Sequence, residues 1–150
     1  MNQATDAYLS LPVEVVDYEG GKRLVAATDC GPSHDLFSMV LVPANLKPTP
    51  TYTSIQVGPN QHVECGERLR YMDHSFQPTA RIVVTMWTLR VVSLKSIKRG
   101  DPITFDYNTT EDVMAQPFQD YATGKMVAGW SALSLEDKAD ISHMAAPGLK

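Results

Sequence analysis

The sequence predicts a mainly β domain closed by one C-terminal helix. Three observations point there. Short runs of apolar and β-branched residues recur along the chain, and most end in a turn that carries Gly, Pro or Asn. One stretch near the C-terminus has both a helix cap and helical spacing. The length, 150 residues, fits one domain. A chain of that size buries enough core to fold without disulfides or a structural metal.

The elements can be justified in order. Val13–Tyr18 alternates apolar and polar residues, as a half-buried strand does. Glu19-Gly20-Gly21 turns the chain into a second extended run, Lys22–Ala27, so the two read as a hairpin. Leu36–Val42 is apolar enough for a buried strand, and Pro43–Pro50, with three prolines, is a loop. Thr51–Val57 is rich in β-branched residues and is turned by Gly58-Pro59-Asn60. Arg81–Met86 and Leu89–Ser93 add two strands, and Gly100-Asp101-Pro102 breaks the chain before Ile103–Tyr107. In the tail, Ser134 caps a helix with Asp137 three residues on. Leu135, Ala139, Ile141, His143 and Met144 supply its apolar face, and Pro147-Gly148 stops it.

Lys and Arg total 13 against 17 Asp and Glu, a formal net charge of −4. With no basic run, the chain lacks the phosphate-neutralising charge on which nucleic-acid affinity rests, so no nucleic-acid partner is expected. No apolar stretch approaches the ~20 residues that cross a bilayer, and no membrane partner is expected. Met1–Ser10 is polar and does not read as a secretory leader. Two cysteines, Cys30 and Cys65, are too few for a disulfide framework or a four-cysteine zinc site. They are expected as free thiols in or near the core, in a cytoplasmic or nuclear protein.

Two segments stand out together. Arg70-Tyr71-Met72-Asp73-His74-Ser75-Phe76-Gln77-Pro78-Thr79 is followed, after a strand pair, by Gly100-Asp101-Pro102-Ile103-Thr104-Phe105-Asp106-Tyr107. In order and separation they resemble the two signature motifs of SET-domain methyltransferases, R-F-x-N-H-S-C-x-P-N and G-E-E-L-T-F-D-Y. Gly21-Lys22-Arg23-Leu24-Val25-Ala26 is similar to the family's G-x-G-L-x-A hairpin, and Gln116–Gly129 looks like the start of its post-SET tail. The resemblance implies a SET-like fold of small curled β-sheets, with the two motifs packed together in a pseudoknot. It divides the chain into an N-terminal segment (1–12), a SET-like domain (13–115) and a degenerate post-SET tail with the C-terminal helix (116–150). It also implies that S-adenosylmethionine would lie against Gly21, Arg23, Asp73 and His74, and that Tyr107 stands where methyl donor and substrate amine meet.

The departures from the pattern bear on function. Arg23 replaces the second glycine of the hairpin, where an Arg side chain is expected to fill space the cofactor uses. Asp73 replaces Asn, and Thr79 replaces the final Asn of the first motif. The family's four zinc-binding cysteines correspond to Phe76, Asp120, Ala122 and Val127. With all four thiolates absent, no zinc and no other metal is expected, and apolar packing is expected to take its place.

The leading expectation is therefore a repurposed SET-fold enzyme that needs no S-adenosylmethionine. It would act on a small organic molecule in the former methyltransferase cleft, by acid–base, isomerisation or cyclisation chemistry. Tyr107, Asp73 and His74 are its expected catalytic residues. One alternative is an S-adenosylmethionine-dependent protein-lysine methyltransferase. Another is a catalytically inactive binding or dimerisation module, and a homodimer is compatible with either.

Overall fold

The computed structural model describes residues 12–146 and Leu149. Its strands are β1 (Val13–Tyr18), β2 (Gly21–Ala26), β3 (Asp35–Val40), β4 (Leu46–Lys47), β5 (Ser54–Gly58), β6 (Gln61–Glu64), β7 (Asp73–His74), β8 (Ala80–Val84), β9 (Thr88–Ser93), β10 (Thr104–Phe105), β11 (Phe118–Gln119) and β12 (Met126–Val127). One short helix, α1 (Leu135–Ile141), follows. They form five small sheets: β1-β2, β3-β9-β8, β4-β6-β5, β11-β12 and the parallel pair β10-β7. Small, separate sheets need a shared filler. Leu24, Leu36, Met72, Ile82, Leu89, Val91 and Ile103, drawn from two of these sheets and the segments between strands, are almost fully buried in one core, which Val63 of β6 joins.

The hairpin forms as expected, Val13 pairing with Ala26 and Tyr18 with Gly21. The apolar run after Leu36 is a strand with one face in the core and one outside: Leu36 is buried while Val40 is 64% exposed. β3 is the edge strand of its sheet, paired only with β9. The proline loop contains a 3₁₀ turn, Pro43–Asn45, and the short strand β4. Ser134 caps α1 as expected, its hydroxyl accepting from the Asp137 N–H at 3.1 Å. The apolar face of the helix is not where its spacing put it. Leu135 is 85% exposed, and burial falls on Met144 in the 3₁₀ turn that follows. The cause is where the chain is anchored: Ala146 N–H donates to Thr109 O at 2.7 Å, which draws the end of the helix, not its start, onto the domain. The expected stop at Pro147-Gly148 lies outside the described residues, as does the N-terminal segment before Pro12.

Candidate functional site

Hydrogen bonds between distant segments assemble the site. The free edge of β2 takes the chain just before β10. Ile103 N–H donates to Leu24 O and Ala26 N–H to Asp101 O, each at 2.9 Å, and Val25 bridges Pro102. β10 then lies parallel to β7, with Thr104 beside Asp73 and Phe105 beside His74. Thr79 fastens the join. Its hydroxyl accepts from Thr104 N–H at 2.9 Å and donates to Pro102 O at 3.1 Å, while its own N–H donates to Thr104 Oγ1 at 3.1 Å. Thr79 thus links the two motifs from the position of the family's asparagine.

Beyond β10 the chain turns into a 3₁₀ helix, Tyr107–Thr109, capped by Asp106, whose Oδ1 accepts from both the backbone N–H and the side-chain amide of Asn108. This turn fixes Tyr107. Its N–H donates to His74 Nδ1 at 3.0 Å, and its hydroxyl donates to Met72 O. His74 is therefore an acceptor at Nδ1 and carries its proton on Nε2. The side chain is 1% exposed, and burial pushes its pKa down to about 4. The Asp106 carboxylate 3.8 Å from Nδ1 forms no ion pair with this neutral ring. His74 instead sits among aromatic rings, edge-on to Phe76 at 4.4 Å and to Tyr107 at 5.3 Å. The Tyr107 phenol is held well above its ordinary pKa, first by burial and then by Asp73, Cys65 and Tyr18. Its proton is committed to Met72, so what it offers the site is oxygen lone pairs.

On the hairpin side, Gly21 has φ +132°, and a β-carbon there would meet nothing within 4 Å. The Arg23 guanidinium does not cover Gly21. It lies on the Tyr18 ring, 4.0 Å from the centroid, with one nitrogen 3.6 Å from Asp73 Oδ2. Its Nε is buried without a hydrogen-bond partner among the described residues. Burial raises the Asp73 pKa and Arg23 partly offsets this. An open glycine, an unsatisfied guanidinium N–H and a carboxylate suit a zwitterionic amino-acid group, such as the methionine end of S-adenosylmethionine. The residues fit that cofactor, with Arg23 for its carboxylate and Asp73 for its ammonium.

On the other side of Tyr107 a cavity of about 300 Å³ opens. Met72, Phe105, Tyr107, Met114 and Phe118 give it apolar and aromatic walls, and Thr51–Ser54, Cys65 and Arg70 are also part of its lining. The Cys65 thiol is pushed up to about 12, mainly by burial, and is not reactive there. Glu111 also lines the cavity, 6% exposed, its Oε2 accepting from Gln56 N–H at 2.8 Å. Burial raises its pKa to about 7. The motifs bring Tyr107, Asp73 and His74 together as expected, but Glu111 was not anticipated. The signal for Glu111 was an acidic residue directly after the Thr109-Thr110 pair and close behind the second motif, where chain leaving a buried strand is still buried.

Of the four positions that the resemblance would match to zinc cysteines, Phe76 packs on His74 and under the Lys125 ammonium at 5.4 Å, and Val127 is fully buried. Among the described residues, no three His, Cys, Asp or Glu side chains are grouped to hold a metal ion, and no helix is long and apolar enough to cross a membrane.

Parallel motif strands beside an open glycine hairpin define a SET domain. The SET domain family model matches residues 14–108, well over half of the chain, and the chain belongs to that family. A protein of Aspergillus flavus named methyltransferase flvH is 33% identical over 112 residues, 73% of this chain. The matched region spans 61% of that relative's length. A solved structure from Plasmodium falciparum, described as a candidate histone methyltransferase, aligns with a TM-score of 0.49 at 14% identity, over 65% of this chain and 94% of that one.

Proposed function

We propose that this chain is an S-adenosylmethionine-dependent methyltransferase whose acceptor is a small molecule held in the cavity lined by Tyr107 and Glu111. The observation that carries the reading is the position of Tyr107. It lines the cavity, and its hydroxyl donates to the carbonyl of Met72, the residue before Asp73, which Arg23 of the hairpin approaches to 3.6 Å. A donor on one side and an acceptor on the other would meet there, the in-line arrangement that methyl transfer needs. The relative named as a methyltransferase favours this over the cofactor-independent isomerase or cyclase that the departures at Arg23 and Asp73 suggest.

When bound, the cofactor supplies an electrophilic methyl on a sulfonium. The chain's own residues do the rest. Arg23 and Asp73 hold the amino-acid end, and Gly21 leaves room for it. His74, neutral and buried, fixes Tyr107 through the Tyr107 N–H. The Tyr107 oxygen faces developing positive character with lone pairs, since its O–H is turned to the Met72 carbonyl. Residues Met114 to Phe118 wall the acceptor side and exclude water. A cavity of about 300 Å³ is at the small end of ligand sites, which suits a small molecule better than a peptide segment.

The test is transfer of label from methyl-tritiated S-adenosylmethionine to a pool of low-mass metabolites, with histone tail peptides in parallel. Label should appear in the low-mass fraction. Label on the peptides alone would restore the protein-lysine reading. No transfer to either, with the cofactor unable to bind, would return the cofactor-independent enzyme to first place.

A further inference from the structure

The outer face of the sheet β3-β9-β8 carries a second concavity, of about 440 Å³, which shares no lining residue with the cavity beside Tyr107. The strand register builds it. Arg81 and Asp35 stand on either side of Val92, and in the next row Arg90 stands between Val83 and Ser38. Arg81 and Arg90 are thus diagonal neighbours on adjacent strands, a spacing of about 7–8 Å that long side chains span. Half-buried Val83, Val92 and Leu94 supply apolar surface between them. Ser33 closes one end. Its φ is +61°, uncommon for a serine, and Ser93 holds the turn there: the Ser93 hydroxyl accepts from His34 N–H at 2.9 Å and donates to Gly31 O at 2.7 Å.

The charges in this concavity do not balance. Arg90 Nη1 donates to Asp35 Oδ1 at 2.7 Å, whereas Arg81 pairs with no carboxylate among the described residues. The Arg81 Nε is buried without a hydrogen-bond partner. A guanidinium keeps its charge at any ordinary pH, and a charge drawn partly out of water is costly until an anion meets it. Two arginines against one aspartate leave one positive charge. We infer that this concavity binds the carboxylate of a small organic acid, with Arg81 as its counter-ion and the acid's apolar part on Val83 and Val92. A carboxylate brings the single negative charge that is missing, and its two oxygens match the fork of a guanidinium. Arg90 has five N–H donors and gives one to Asp35, so it meets the same ligand from the other side. Asp35 opposes the ligand, as a like charge that also holds Arg90. The site is separate from the methyltransferase reading and involves no covalent step.

The experiment is an NMR titration of the folded protein with sodium butyrate at fixed ionic strength. n-Butanol serves as the uncharged counterpart and n-butyl phosphate as the other oxyanion. Butyrate should shift the amides of Ser33, Arg81 and Val92 with millimolar affinity and leave those of Tyr107 and Glu111 where they are. It should bind more tightly than butyl phosphate, and butanol should shift none of these amides. Arg81→Gln should weaken butyrate binding at least about tenfold. Asp35→Asn, at an exposed position, should strengthen it about threefold by removing the like charge. Should Arg81→Gln fail to fold, Asp35→Asn and the butanol comparison decide. Unshifted amides with butyrate, equal shifts with butanol, or equal affinity in folded Arg81→Gln would each overturn the inference. Tighter binding of butyl phosphate, or butyrate binding not strengthened by Asp35→Asn, would overturn the match to a single carboxylate.

Discussion

Tyr107 acts by what it cannot donate. Its hydroxyl donates to the Met72 carbonyl, and its N–H holds the His74 ring. Tyr107→Phe removes one oxygen and leaves that carbonyl short of a donor, a loss of about 1 kcal/mol in a urea titration. Methyl transfer should fall roughly ten- to a thousandfold if the oxygen faces the reacting centre. Wild-type turnover in the folded variant would remove Tyr107 from the mechanism. Arg23 makes a second test at this scale. Reversing its charge, Arg23→Glu, should abolish cofactor binding, whereas Arg23→Lys should retain part of it; a cofactor affinity unchanged by Arg23→Glu would end the carboxylate role. Tyr107, Asp73 and His74 were legible because they belong to spaced motifs. Glu111 was not, because its importance comes from burial beside a cavity that four separate segments enclose, and no local pattern encodes that.

At the level of elements, the tail is held by chain just past the second motif. Gly129 N–H donates to Asn108 Oδ1 at 3.0 Å, followed by Trp130 N–H to Glu111 O and Ser131 N–H to Asp112 O. Gly129 has φ +114°, and a β-carbon there would stand 2.5 Å from Asp112 O. Gly129→Ala should therefore cost at least about 2 kcal/mol, with strain and clash together. The β11-β12 hairpin should then become the first point of proteolytic cleavage. A Gly129→Ala variant as stable and protease-resistant as wild type would mean the tail is not docked this way. The strands with strong patterning, β1, β2, β8 and β9, were readable to within a residue or two. β4, β6, β7, β11 and β12 were not, and of the run Ile103–Tyr107 only Thr104–Phe105 is strand. β7 and β10 in particular exist only because each supplies the other's hydrogen bonds, a parallel pairing that local sequence does not carry.

Across the whole molecule, two buried groups oppose each other in pH. His74 titrates near 4 when folded against 6.5 ordinarily, so below 6.5 the unfolded chain binds a proton that the folded one refuses. Its contribution is present above 6.5 and is lost as pH falls toward 4, about 3 kcal/mol in full. Glu111 runs the other way. Its folded pKa, about 7 against 4.5, favours the folded state at low pH and is lost as pH rises through 7, again about 3 kcal/mol. Asp73 and Asp106, both raised by burial, act in the same sense as Glu111. Wild-type stability should thus be nearly flat from about pH 4.5 to 6.5, while Glu111→Gln should gain about 2 kcal/mol across the same interval. Matching urea midpoints for the two proteins at each pH would show that Glu111 is not held neutral. The mainly β architecture and the meeting of the two motifs were legible from spacing and resemblance together. The full lining of the cavity was not, because it is a product of assembly. The most direct test of the central claim, that the hairpin and motif strands bind a methyl donor, is a calorimetric titration of the folded protein with S-adenosylmethionine. The expected result is one-site binding at micromolar affinity, lost in Arg23→Glu. No binding at millimolar cofactor would contradict the claim.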